Sequence, residues 1–137
     1  MSYTLSKRSL DTLKGIHPDL VKVVKEAIKI TKQDFMVVQG VRTAEEQNKL
    51  FRQGRTRPGK VVTQLDGFKK KSNHQVKDDG YGYAVDLCPY PIDWNDLDKF
   101  KVISEAMTQA SRKLGVKITW GGNWKSFKDY PHYELVR

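Results

Sequence analysis

The sequence has a single cysteine, Cys88, in 137 residues. One thiol excludes an internal disulfide framework and also a zinc site built from several thiolates. Because Cys88 follows the apolar stretch 84–87, we expect a buried structural thiol rather than a nucleophile. A chain of this length buries about two-thirds of the surface that its unfolded form exposes, which is enough for a hydrophobic core.

Long hydrophobic runs are absent as well. None approaches the roughly 20 residues that a membrane-spanning helix needs, so no membrane insertion is expected. Residues 1–8 carry charge, but no apolar segment follows them, which argues against a Sec-type signal peptide. The sequence also shows no internal repeat, low-complexity tract or interdomain linker. We therefore expect residues 1–137 to form one domain.

Acidic residues are few relative to basic ones, with 16 Asp and Glu against 25 Lys and Arg and a net charge of +9. Such an excess favours an anionic partner. The candidates are nucleic acid, lipid and an acidic polymer such as murein, and charge alone does not choose among them. The run Lys69-Lys70-Lys71 lies in a loop-like stretch, residues 52–79, and loops of that length are usually functional or mobile. The alternative is a solvated face that only keeps the protein soluble.

Periodicity and capping signals predict an α+β fold. Helices are expected over residues 18–31, 43–54 and about 93–114. Strands are expected at residues 35–38, 83–87, 116–120 and 133–136. In the second helix Leu50 and Phe51 should face inward. The third helix should bury one face, made of Leu97, Phe100, Ile103, Met107, Ala110 and Leu114. The predicted architecture is a small, mainly antiparallel sheet with helices packed on one face.

Histidine is scarce too, with three in the chain. His17 precedes Pro18 at a predicted helix start, so we interpret it as a surface or capping residue. His74 and His132 have polar neighbours, and Asp86 lies on a predicted strand. Two imidazoles and one carboxylate are a common catalytic zinc set, which leaves a fourth position for water.

Such a site also needs a carboxylate that is not a ligand, to carry the proton of the attacking water to the leaving amine. Asp129 lies three residues before His132, in a turn that Pro131 stiffens, and Glu134 competes for the role from two residues after His132. The sequence has no H-E-x-x-H helix and no cysteine pair. By spacing alone, scattered surface residues are therefore the simpler interpretation.

Four segments of the chain nevertheless occur together in one order. They are residues 39–47 (QGVRTAEEQ), 72–74 (SNH), 82–86 (GYAVD), and 120–124 (WGGNW) leading to 129–134 (DYPHYE). Together they resemble the zinc-dependent murein peptidases that include D-alanyl-D-alanine carboxypeptidases and L-alanyl-D-glutamate endopeptidases. The resemblance is strongest to single-domain L-alanyl-D-glutamate peptidases used as phage endolysins, and it implies the zinc-peptidase fold of the D,D-carboxypeptidases.

The resemblance also implies a role for each matching residue around one zinc ion. The metal ligands would be His74, Asp86 and His132. The catalytic residues would be Asp129, as general acid and base, and Arg42, which would stabilise the oxyanion. The substrate-binding residues would be Gln47, Ser72 and Trp124, with Trp120 either in the cleft floor or in the core.

One departure from the family pattern concerns the first two ligands. The family spacing is H-x6-D, whereas eleven residues separate His74 from Asp86. We interpret the difference as a five-residue loop insertion around Asp78-Asp79-Gly80, a strong turn signal. Asp78 or Asp79 is then an alternative ligand, but we prefer Asp86 because a strand holds a ligand more rigidly.

The resemblance implies hydrolysis of the L-alanyl-D-glutamate bond of murein stem peptides by a monomer without a separate wall-binding domain. It would be made in the host cytoplasm without a signal peptide, and a separate protein would release it to the murein layer in the periplasm. Two alternative functions remain possible: a D,D- or L,D-carboxypeptidase that trims stem peptides, and a zinc-binding domain without activity. A non-enzymatic nucleic-acid-binding module is a third alternative, although no nucleic acid is expected because basic residues are dispersed and no helix-turn-helix or RRM signature occurs.

Overall fold

The computed structural model describes residues 2–125 and 128–136. In these ranges the helices are α1 (Lys7–Thr12), α2 (Pro18–Ile30), α3 (Ala44–Arg52) and α4 (Leu97–Leu114). The strands are β1 (Phe35–Gln39), β2 (Ala84–Pro89), β3 (Ile118–Trp120) and β4 (His132–Leu135), and a short 3-10 turn covers Gly121–Asn123. No helix in the described part of the chain combines the length and the apolar character that crossing a bilayer requires.

The strands form one four-stranded sheet in the order β1-β2-β4-β3. Every neighbouring pair is antiparallel, with Met36 opposite Cys88 and Asp86 opposite His132. The pairing of β1 with β2 shifts register between Val37 and Gln39. The predicted α+β fold with a small antiparallel sheet is thus confirmed.

Local sequence signals set the ends of the two long helices. At the start of α2, His17 accepts a hydrogen bond from the backbone N–H of Asp19, and Pro18 occupies the first turn. At the end of α4, Gly115 adopts a left-handed conformation with φ of 67°, which glycine enters without steric cost. The interpretation of His17 as a capping residue is confirmed.

The two faces of the sheet have different surroundings. Because side chains alternate along a strand, Val85 and Leu87 of β2 and Tyr133 of β4 point to one face. There they pack with side chains of α2 and α4 in the hydrophobic core. Asp86 and His132, which lie between these positions, point to the opposite face. Strand alternation therefore places the polar cluster outside the main core.

Three details of the helices differ from expectation. Helix α1 was not predicted, because six residues are too few to show a period. Leu97 and Leu114 are exposed, since they are the terminal residues of α4. Within α3 the buried side chain is Gln47, whereas Leu50 and Phe51 are half-buried. The segment that covers Gln47 offers polar groups rather than an apolar surface, which explains this last difference.

Candidate active site

Three buried side chains converge on the sheet face that points away from the core. Strand pairing sets Asp86 and His132 directly opposite each other, and the loop before β2 brings His74 beside them. His74 Nε2 lies 3.2 Å from His132 Nδ1 and 3.3 Å from Asp86 Oδ1. His132 Nδ1 lies 3.4 Å from the same oxygen. The three atoms form a nearly equilateral triangle.

Both imidazole rings are fixed through their other nitrogen. His74 Nδ1 donates to the carbonyl oxygen of Gly40 at 2.8 Å. His132 Nε2 donates to Glu134 Oε1 at 2.6 Å. Because these acceptors carry no proton, a neutral ring directs its lone pair into the triangle. Metal-bound histidines are held in the same way, by a carbonyl or carboxylate on the outer nitrogen.

The two carboxylate oxygens of Asp86 have different surroundings. Its Oδ2 accepts a hydrogen bond from Arg42 Nη2 at 3.2 Å. Its Oδ1, inside the triangle, is buried and has no hydrogen-bond partner among the residues that the structure describes. Burial opposes ionisation of Asp86, but the nearby imidazoles of His132 and His74 outweigh it and hold its pKa well below the usual range. A buried ionised oxygen without a donor requires a cation or a proton beside it.

The donor set fits a zinc ion. Zinc bonds to nitrogen and oxygen are about 2.0–2.1 Å long, so two corners of its tetrahedron lie about 3.3 Å apart. The separations of 3.2 to 3.4 Å in the triangle match that edge. Without metal, burial lowers the pKa of His132, but the neighbouring carboxylates of Asp86 and Glu134 raise it to about 9. A proton then occupies the place that the cation would take.

Asp129 lies at the edge of this cluster. Its Oδ2 is 3.9 Å from His132 Nδ1, and its side chain is 43% exposed. Partial burial and the charge of Asp86 raise the pKa of Asp129. The neighbouring backbone is tightly packed, because a Cβ atom on Gly121 would lie 2.2 Å from the carbonyl oxygen of Asp129. This arrangement suits a proton carrier held by a rigid turn.

Arg42 joins the cluster to α3. Its Nη1 donates to Gln47 Oε1 at 3.0 Å and its Nη2 to Asp86. Gln47 is 0% exposed, and its amide nitrogen donates to Thr63 Oγ1 at 3.2 Å and to the Leu65 carbonyl at 3.0 Å. Gln47, itself fixed by these two hydrogen bonds, therefore fixes the position of the Arg42 guanidinium. The geometry gives it no place in the cleft wall, unlike the substrate contact expected from the sequence.

A cleft of about 620 Å³ opens above the triangle. Ser72 and Trp124, for which substrate binding stays a prediction, line it, and the Trp124 ring centroid lies 5.0 Å from that of His132. Trp120 instead packs against the core, where its ring stacks on Tyr133 at 6.4 Å. The wall also includes Leu50, Gln53, residues 61–65 and Lys128.

Comparison with known proteins identifies the family. Residues 1–136 match the family described as phage L-alanyl-D-glutamate peptidase. The chain belongs to this family. It is therefore a peptidase, and the interpretation as a non-enzymatic nucleic-acid-binding module is excluded.

Individual relatives agree with this assignment. The L-alanyl-D-glutamate peptidase of Escherichia phage T5 is 34% identical over 140 residues, which cover 100% of this chain and 92% of the relative. The peptidoglycan L-alanyl-D-glutamate endopeptidase CwlK of Bacillus subtilis (strain 168) is 30% identical over 133 residues, covering 88% and 74%. The solved structure of the Serratia marcescens L-Ala D-Glu endopeptidase ChiX superposes with a TM-score of 0.81 at 31% identity, covering 99% of this chain and 92% of that one.

The turn at Asp78-Asp79-Gly80 lies apart from the triangle in this family member. Gly80 has φ of 88°, as its place in a tight turn requires. The carboxylate of Asp79 accepts hydrogen bonds from the backbone N–H of Tyr81 and from the hydroxyl of Tyr83. Of the three aspartates considered as ligands, Asp86 is the one that joins the two histidines.

Sequence reasoning missed part of the peptidase cleft. Residues 61–65 form a wall of it, yet they show no helical or strand periodicity. The exposed pair Val61-Val62 in an otherwise polar loop is the signal that would have marked them. Lys128, next to Asp129, has no sequence signal that distinguishes it from the other basic residues.

Proposed function

We propose that this peptidase hydrolyses the L-alanyl-D-glutamate bond of murein stem peptides, with one zinc ion held by His74, Asp86 and His132. The observation that carries the proposal is the triangle of donor atoms, 3.2 to 3.4 Å apart, in which both imidazoles are fixed from outside. The bond assignment is supported by the activities for which the relatives are named.

Asp129 is the proposed general base and acid. A zinc ion bound in the triangle would lower the pKa of a water molecule and polarise the scissile carbonyl. Asp129, beside the triangle, accepts the proton of the attacking water and returns it to the leaving amine. Its raised pKa favours the first transfer, because a more basic carboxylate accepts a proton from water more readily.

Arg42 is the proposed electrostatic stabiliser. It lines the cleft with its guanidinium held by Gln47 and Asp86, so it does not have to reorganise during the reaction. A fixed positive charge near the carbonyl stabilises the oxyanion of the transition state. Ser72 and Trp124, which line the same cleft, are proposed to contact the stem peptide.

A lysine in the cleft wall supports a D-glutamyl residue on the leaving side. Glutamate has two carboxyl groups, and continuing the peptide uses at most one of them. A free carboxylate therefore stays close to the amine that Asp129 protonates. Lys128 lines the same cleft as Asp129 and immediately precedes it in the chain. Its ammonium group is the proposed partner of that carboxylate.

The biological setting is proposed from the same relatives. The protein would act as a monomeric endolysin, made in the host cytoplasm and released to the murein layer by a separate protein. That residues 1–137 form one catalytic domain remains a prediction. The basic surplus, including Lys69-Lys70-Lys71, would concentrate the enzyme on an anionic envelope.

Digestion of purified murein tests the proposal. We expect mass spectrometry to show stems cut after L-alanine, with a new amino terminus on D-glutamate, and metal analysis to show one zinc per chain. Removal of zinc by a chelator should abolish cleavage, and added zinc should restore it. Release of free D-alanine instead would indicate the carboxypeptidase alternative.

A further inference from the structure

We propose that Glu134 and Asn73 are a positioning pair, which holds the His132 imidazole with Nδ1 directed into the triangle. This inference rests on the proposed metal site and adds to it two residues that bind neither zinc nor substrate. Its basis is a continuous chain of hydrogen bonds from Asn73 through Glu134 to His132.

Each oxygen of the Glu134 carboxylate has its own donor. Oε1 accepts from His132 Nε2 at 2.6 Å, and Oε2 accepts from Asn73 Nδ2 at 2.6 Å. The Glu134 side chain is 22% exposed, so water competes weakly for these bonds. A carboxylate held at one oxygen by an amide presents the other in a fixed direction. It thereby fixes both the rotation of the ring and the nitrogen that carries the proton.

Asn73 connects this carboxylate to the other imidazole. It immediately precedes His74, and its carbonyl oxygen accepts from the Tyr83 N–H at 2.7 Å, which ties the segment to the start of β2. The Asn73–Glu134 bond thus joins the segment that bears His74 to the strand that bears His132. The pair therefore sets the spacing of the two imidazoles as well as the orientation of one.

The position of Glu134 argues against its action as the base. It bonds to His132 Nε2, whereas Asp129 approaches Nδ1, the nitrogen inside the triangle. Glu134 and Asn73 line a second cleft of about 470 Å³, while Asp129 lines the cleft above the triangle. Glu134 acts through His132 and is accordingly a positioning residue.

Zinc affinity, measured by competition with a chromophoric chelator, tests the pair without using activity. We expect Glu134→Ala to weaken zinc binding about 10- to 100-fold. Glu134→Gln should lose less, because its amide oxygen still accepts from His132 and the Asn73 amide can turn to offer its oxygen to the new NH₂. Glu105→Ala, an exposed change on α4, is the control and should bind zinc like the wild type.

A double variant separates a connected pair from two independent effects. If Asn73 acts through Glu134, Asn73→Ala combined with Glu134→Ala should bind zinc no more weakly than Glu134→Ala alone. Losses that multiply would overturn the connection, and wild-type affinity in both Glu134 variants would overturn the inference itself. The binding assay needs no murein, so cleavage of another bond would overturn the proposed substrate and leave this inference intact.

Discussion

At the scale of residues, the two imidazoles of the site are secured by different means. His74 donates to a backbone carbonyl, which no side-chain substitution removes, whereas His132 depends on the side chain of Glu134. One carboxylate oxygen of Asp86 lies in the triangle, and the other accepts a hydrogen bond from Arg42. Substitutions around His132 should therefore affect metal binding, while substitutions at Asp129 should affect only the chemistry.

Replacement of Asp129 by alanine tests the proposed proton carrier. We expect Asp129→Ala to keep the fold and one zinc per chain, because Asp129 is not a corner of the triangle. Its kcat on murein should fall roughly 100- to 10,000-fold, the usual contribution of a general acid and base. Metal analysis and turnover are measured on the same sample. A near-normal rate would assign the proton transfer to another group.

Replacement of Lys128 by methionine tests the proposed carboxylate contact. On a peptide with L-Ala-D-Glu, we expect kcat/KM to fall about 2- to 5-fold, as for a solvated ion pair. On the analogue in which the free carboxylate of the D-glutamyl residue is replaced by a carboxamide, the same change should have little effect. Lys125→Met, which removes a nearby exposed charge outside the cleft wall, is the control. Equal losses on both peptides would contradict the assignment.

At the scale of elements, pairing of β2 with β4 is what assembles most of the site. The register sets Asp86 opposite His132, and alternation sends both away from the hydrophobic core. The turn before β4 then carries Asp129 beside them, packed against Gly121. The site therefore depends on the geometry of one antiparallel pair and one tight turn.

Replacement of Gly121 by alanine tests that turn. The new Cβ would lie 2.2 Å from the Asp129 carbonyl oxygen, so the turn must shift. We expect Gly121→Ala to lower kcat about 10- to 100-fold through misplacement of the carboxylate. Gly115→Ala is the matched control: it strains a residue with φ of 67° but meets no atom within 4 Å. That control should lower the unfolding free energy by about 1 kcal/mol and leave kcat unchanged; an equal fall in kcat for both would contradict the account.

At the scale of the whole molecule, the fold was largely predictable and the site partly so. The strands of the buried sheet and the long helices have clear periodicity, so they were predicted within a few residues. Convergence of His74 with Asp86 and His132 required the family resemblance, because residues far apart in the chain give no spacing signal. The burial of Gln47 was not predictable, since a polar side chain is buried only where distant groups such as Thr63 receive it.

The stability of the metal-free protein should depend on pH through His132. Its folded pKa of about 9 lies above its ordinary value of 6.5. The stabilisation is therefore complete below about pH 6.5 and is lost as the pH rises through 9. We expect urea unfolding of chelator-treated protein to give a free energy lower by on the order of 1 to 3 kcal/mol at pH 9.5 than at pH 6. A free energy that is flat or rising over this range would contradict the expectation.

The most direct test of the account is a crystal structure grown with zinc, with anomalous data collected at the zinc edge. The account predicts one peak per chain, about 2.0–2.1 Å from His74 Nε2, Asp86 Oδ1 and His132 Nδ1. His132→Ala, measured in parallel, should lose that peak. A triangle without zinc in the wild-type crystal, or zinc bound at Asp78 and Asp79 instead, would contradict the central claim.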